Sequence, residues 1–294
     1  MVRSAKRKIV LAIAATVAVL AGLEILLFRA AAHIVNDRVS ASGGCSCAMD
    51  TLITARDWAI LGFAGLFSVG VLVGMTYAVI ALIRTRTLLK HVSVYEGMKG
   101  LFLFNGSHCE SFTFGFLRPK IALCAHCVRN LSKDELAAIL QHESHHVAKR
   151  HPLKFFVTDT VKYSFFFAPF LRNLISEYRT MAEIEADERV DSRQALGGVL
   201  LQMVQRPEFA SIAASFASRL SIRIDRLIKP NWKASFQLDV SSVFITLAIV
   251  LGVAGTILVR PAAAGVNMCP MHPRQQCVRP MLDAAPSVYY NSSN

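Results

Sequence analysis

Charge is what this chain has least of. Only 18% of its 294 residues are Asp, Glu, Lys or Arg, and acids are scarcer than bases, 20 against 32. With 53% of residues hydrophobic, that scarcity excludes an ordinary soluble domain and points to membrane spans. Residues 58–83 and 240–259 hold no charged side chain at all, and 9–28 hold only Glu24. Each run is long enough to cross the hydrocarbon core of a bilayer. Arrays of basic and aromatic residues are also missing. The net charge of +12 is therefore read as membrane topology and attraction to anionic lipid, with no nucleic-acid partner.

What basic residues there are lie on one side of the spans. Arg3, Lys6, Arg7 and Lys8 precede the first; Arg84, Arg86 and Lys90 follow the second; Arg219, Arg223, Arg226, Lys229 and Lys233 precede the third. The loop between the first two holds Arg29, Arg38 and Arg56 offset by Asp37, Asp50 and Asp57. An excess of Lys and Arg marks the inner face. The expected order is an inner N-terminus (1–8), a span (9–28), an outer loop (29–57), a span (58–83), an inner domain (84–239), a span (240–259) and an outer tail (260–294). The first span has a basic start and small residues at Ala30–Ala32, as a secretory signal would. Its length favours a retained anchor, and either choice leaves the later topology unchanged. Glu24 reads as snorkelling or facing another helix.

The cysteines fit this map. Cys45, Cys47, Cys269 and Cys277 fall in the outer segments, where disulfides persist, with pairing left open. Cys109, Cys124 and Cys127 fall on the inner side, where reduced thiols are expected. The Cys124-Ala-His-Cys127 spacing, with His108 and Cys109, offers the alternative of a second zinc site.

The inner domain carries the chemistry. His142-Glu143-Ser144-His145-His146 is an H-E-x-x-H motif in a helical setting. Ser132 with Glu135 makes a capping box; Leu136, Ile139, Leu140, Glu143 and Val147 recur at helical spacing; Pro152 follows the end. On a helix, His142 and His146 lie one turn apart on one face and can reach one ion. Glu143 is then free to act as general base on a zinc-bound water. The alternative, surface histidines on an amphipathic helix, is weakened by a third candidate ligand. Glu183 and Asp187 are again one turn apart in a helical stretch, 170–190. Glu183 would complete the three protein ligands of a catalytic zinc, and Asp187 would orient a ligand imidazole. A solvated acidic face is the competing reading.

Around these helices, residues 100–104 and 111–116 read as a hairpin across Asn105-Gly106-Ser107, and 119–123 as a further strand. An edge of such a sheet could hold an extended substrate beside the metal, or the sheet could merely cover the helix. Residues 153–175 are rich in Phe yet contain Asp159 and Lys162. They fit a membrane-associated helix or shallow hairpin broken at Pro169 better than a span.

Gly115-Phe-Leu-Arg-Pro119-Lys-Ile, Leu131-Ser-x-x-Glu135-Leu, His142-Glu-x-x-His146, Phe166-Phe-Ala-Pro169, Glu183-x-x-x-Asp187 and Arg223-Ile-Asp-Arg226 together resemble the BlaR1/MecR1-type membrane metallopeptidases, peptidase family M56. M48 proteases share the metal motifs but less of the flanking pattern. The resemblance implies an α-helical membrane protein with an inserted, mainly α, small β-sheet gluzincin-like zinc metallopeptidase domain. It places that domain on the cytoplasmic side of a bacterial inner membrane. It implies His142, His146 and Glu183 on Zn²⁺ and Glu143 as base. His151 departs from the family, which tends to carry Asp there, and Ala186 stands where Cys is frequent. The family's penicillin-binding sensor domain is not expected, since 35 residues follow Val259.

The leading expectation is a zinc endopeptidase cutting a cytosolic or membrane-adjacent protein, in regulation or signalling, with His145, Tyr178 or Arg179 as oxyanion donor. The alternative is a non-catalytic signalling or scaffold protein with a structural or vestigial zinc. Retention of Glu143, which a structural site does not need, argues against it. A transporter role rests on Glu24 alone.

Overall fold

A computed structural model describes residues 2–42, 54–90, 92–95, 100–106, 109–204, 222–226 and 239–258. Cys45, Cys47, His108, Cys269, Cys277 and the expected outer tail lie outside them. The described chain is mostly helical, with one small sheet. Three helices are long and apolar enough to cross a membrane: α1 (Val2–Ser42), α2 (Ala55–Leu88) and α8 (Val240–Leu258). The helices α1 and α2 run past the apolar stretches 9–28 and 58–83 at both ends. A capping box fixes the start of α2, with the Thr54 side chain accepting from the Asp57 N–H and the Asp57 carboxylate accepting from the Thr54 N–H.

Between α2 and α8 come four strands, β1 (Ser93–Val94), β2 (Leu101–Phe104), β3 (Ser111–Phe114) and β4 (Lys120–Cys124). Five helices follow: α3 (Ala125–Asn130), α4 (Lys133–Ala148), α5 (His151–Ser164), α6 (Pro169–Asp187) and α7 (Arg193–Val204). The sheet order is β1-β2-β4-β3. The expected hairpin of 100–104 with 111–116 is therefore incorrect. Strand β4 inserts between the two, parallel to β2 (Leu101 opposite Ile121) and antiparallel to β3 (Ser111 opposite Leu123). The reason is burial. Ala122, Leu123 and Cys124 are fully enclosed, so the strand with the most buried side chains takes the centre. The connection from Asn105 to Glu110 is also longer than a tight turn. This leaves β3 on an edge.

Cys109 and Cys127 are joined as a disulfide, their Cα atoms 4.6 Å apart. In the structure two of the four zinc-site candidates are thus bonded to each other, which departs from both expectations for the inner cysteines. Cys124 remains free and buried, its Sγ directed at the Gly106 carbonyl and accepting from the His126 N–H to cap α3.

The Phe-rich segment 153–175 is a helical hairpin, as its break predicts. Helix α5 ends at Ser164 and Pro169 opens α6 at a first-turn position, where its missing N–H costs nothing. Helix α5 lies along α2. A Cβ on Gly70 would meet the Ser164 carbonyl at 2.1 Å, and one on Gly74 would meet the Ser164 hydroxyl at 1.9 Å. The two glycines, four residues apart, let the backbones approach. Phe67, Phe165, Leu171, Ile175 and Val253 join Leu20 and Leu27 in one apolar core that ties the hairpin to all three long helices. A second core, Val2 and Ile9 with Tyr178, Met181 and Ile184, packs the start of α1 on α6.

Candidate metal centre

Helix α4 is built as its sequence requires. The Ser132 side chain accepts from the Glu135 N–H while the Glu135 carboxylate accepts from the Ser132 N–H. The helix then delivers His142, Glu143, His145 and His146 into the interior, each less than a tenth exposed. Helix α6 crosses it with Glu183 and Asp187 on the facing side.

Ligand atoms of His142, His146 and Glu183 all lie within 4.8 Å of one another. His142 Nε2 and His146 Nε2 are 3.1 Å apart. His142 Nε2 lies 3.5 Å from Glu183 Oε2, and His146 Nε2 lies 3.6 Å from Glu183 Oε1. A tetrahedral ion with bonds of about 2.0–2.1 Å has ligand–ligand edges of about 3.3–3.4 Å, so the donor set and its spacing fit zinc. The Glu183 side chain is 27% exposed, which leaves the site open on that side.

Charge around the three donors is balanced by Asp187 and Arg223. His142 Nδ1 lies 3.0 Å from Asp187 Oδ1, although the ring N–H is not aimed squarely along that line. Burial alone would push the His142 imidazole down; Asp187 and Glu183 outweigh burial and raise it to about 9. Burial likewise works against the Glu183 carboxylate, and the His142 contact with the Arg223 charge holds it well below its ordinary value. Arg223, from the helical turn 222–226, grips Asp187 with two hydrogen bonds of 2.8 and 2.7 Å and places Nη1 3.2 Å from Glu183 Oε2.

Glu143 is held by two side chains of β3. The Ser111 hydroxyl donates to Oε1 at 2.9 Å and the Thr113 hydroxyl to Oε2 at 2.7 Å. A carboxylate has about four acceptor positions, so two remain for water. Sequence reasoning missed Ser111, Thr113 and the contacts of Arg223. The Ser-Phe-Thr alternation, which puts both hydroxyls on one face of a strand, was the available signal.

The three residues expected as oxyanion donors are engaged elsewhere. Arg179 pairs with Asp159 of α5 and lies over the Phe155 ring. Tyr178 is buried against Val2 and Ile9. His145 sits with His151 and Glu185 in a second group whose ligand atoms also lie within 4.8 Å. A cation of the chain's own reaches that group: Lys6 Nζ is 2.7 Å from Glu185 Oε2 and 3.2 Å from His151 Nε2. Burial pushes His145 down to about 4, so its ring is neutral.

His151 links the two groups, its Nδ1 lying 2.7 Å from His146 Nδ1. If Lys6 donates to His151 Nε2, then His151 Nδ1 bears the proton and His146 Nδ1 accepts it. That leaves His146 Nε2 protonated. A metal on His146 Nε2 requires the reverse tautomers, with His151 Nε2–H facing Lys6 and Lys6 retaining Glu185 alone. Where the family tends to carry an acceptor-only Asp, this chain has a ring that can switch roles.

The family model for the BlaR1 peptidase M56 matches residues 7–195, well over half the chain. The chain belongs to the M56 peptidase family. The match takes in most of α1, all of α2, the sheet and both helices of the candidate metal centre, so the M56 region comprises two candidate membrane helices and the candidate metal site together. No curated protein matches the chain. Membership makes it a membrane-associated metallopeptidase by family, and leaves substrate and role to be argued from the site.

Proposed function

We propose that this M56 protein is a zinc-dependent endopeptidase of the gluzincin type, anchored in a bacterial inner membrane and acting on a cytosolic or membrane-adjacent protein, in regulation or signalling. The observation that carries the reading is the convergence of His142, His146 and Glu183 while Glu143 stays outside the donor set on two hydroxyls. Zinc held there would act as a Lewis acid, polarising the scissile carbonyl and acidifying water. Glu143 accepts the proton of the attacking water and returns it to the leaving amine, with Ser111 and Thr113 fixing its plane. Asp187 and Arg223 hold His142 and Glu183 in place. Strand β3, paired among the described residues only on its β4 side, offers an edge along which an extended peptide could add by main-chain hydrogen bonds.

A closed structural site would not need Glu143. The test compares peptide termini in cells carrying the native protein or Glu143→Gln, with zinc measured in both purified proteins. Termini present only with the native protein, at equal zinc content, are expected. Termini shared by both proteins but missing from cells without either would remove Glu143 as the base. Equal zinc with no new termini at all would favour a signalling scaffold.

A further inference from the structure

Beyond the metal centre, the described chain holds a cavity of about 850 Å³ between the first turns of α1 and the first turns of α5. Its lining has two characters. Lys6, Arg7, Lys149 and Lys154 supply four cations, against one carboxylate, Glu185, which Lys6 already engages. Val10, Leu11 and Val157 supply aliphatic wall that is 45%, 69% and 50% exposed. In both helices the cation comes first and the aliphatic residues follow one turn later. The positive charges crowd together: Lys154 is depressed by burial and then by the Lys6 and Lys149 ammoniums. The apolar run of α1 begins at Ile9, directly after Lys6, Arg7 and Lys8, so in a bilayer the cationic end would lie at the depth of lipid headgroups and the aliphatic wall at the depth of acyl chains.

We propose that this cavity seats an anionic phospholipid of the surrounding bilayer, its phosphate among the four cations and its chains along Val10, Leu11 and Val157. Four cations against one carboxylate already engaged call for an anion, and exposed aliphatic wall at membrane depth calls for a hydrocarbon; only an amphiphile answers both. Because Lys6 also touches Glu185 and His151, the bound headgroup would compete for the ammonium that lies next to the metal helices.

Binding needs neither metal nor cleavage, so its failure leaves the peptidase reading untouched. The test is native mass spectrometry of the full chain in neutral detergent, titrated with dioleoyl phosphatidylglycerol, dioleoyl phosphatidylcholine or inorganic phosphate. The expected result is a preference of about tenfold or more for phosphatidylglycerol over phosphatidylcholine. It should be lost in Lys149→Gln/Lys154→Gln, whose exposed side chains are not needed for folding, and reduced in Val157→Trp, which fills the wall without altering charge. Equal binding of the two lipids, or an unchanged preference in the lysine variant, overturns the proposal. Displacement by inorganic phosphate alone means an anion site with no lipid specificity and also overturns it. Full retention in Val157→Trp means surface attraction outside the cavity, and the proposal falls in that case too.

Discussion

At the scale of the residue, the carboxylate of Glu143 decides whether the metal centre is a catalyst or a clamp. Its two hydroxyl donors come from a strand and its neighbours His142 and His146 from a helix, so the proposed base is positioned from two elements at once. Hydrogen bonds to a charged group contribute about 1.5–3 kcal/mol each, and misplacing a reacting group by about 1 Å can cost about a hundredfold in rate. Replacing both donors, Ser111→Ala with Thr113→Val, should slow the appearance of Glu143-dependent peptide termini by about ten- to a hundredfold. Zinc content should stay unchanged, because neither hydroxyl touches a donor atom. An unchanged rate would mean that Glu143 holds its orientation without β3. The residues on the two helices were legible in the sequence because helical spacing of four puts side chains on one face. Ser111, Thr113 and Arg223 were not legible as partners: their contacts cross from a strand and a distant turn, and local spacing carries no signal for such pairs.

At the scale of the element, the two helices of the metal centre declared themselves and strand partners did not. The capping box at Ser132 and the break at Pro169 are local chemistry, and both helices begin where that chemistry says. Strand order is a contest among several strands for the buried centre, and β4 won it with side chains that the expected β2–β3 hairpin left out of account. The contact of α5 with α2 is similar in kind. It depends on what faces Gly70 and Gly74, which only packing reveals. Gly70→Ala would drive a methyl into the Ser164 carbonyl, a backbone atom that cannot rotate aside, whereas Gly62→Ala on the same helix meets nothing within 4 Å. Overpacking of this sort costs about 1–3 kcal/mol. Thermal unfolding in detergent should therefore show a lower Tm for Gly70→Ala and little change for Gly62→Ala. Equal Tm values would mean that α5 can shift along α2 at no cost.

At the scale of the whole molecule, the metal centre lies beside the start of the first long helix. Val2 and Ile9 pack on the helix that carries Glu183, and Lys6 reaches its Glu185. Wherever the N-terminal end of α1 sits, the site sits. Lys and Arg cluster before α1, after α2 and before α8, from which the positive-inside bias predicts that end in the cytoplasm. The Cys109–Cys127 disulfide pulls the other way, since a reducing compartment would keep the pair as two buried thiols. The charge bias sums over many residues and acts during insertion, while a single sulfur pair can respond to its compartment afterwards, so the bias is the stronger guide. Alkaline phosphatase joined after residue 50 should accordingly be active, and joined after residue 90 silent, with β-galactosidase showing the opposite. In the same cells a membrane-permeant maleimide should label Cys109 and Cys127 once the protein is unfolded without reductant. The reverse pattern of reporters, with both sulfurs protected from the reagent, would turn the molecule over and expose Glu183 to the outside. The protein cut by this site would then have to be sought there.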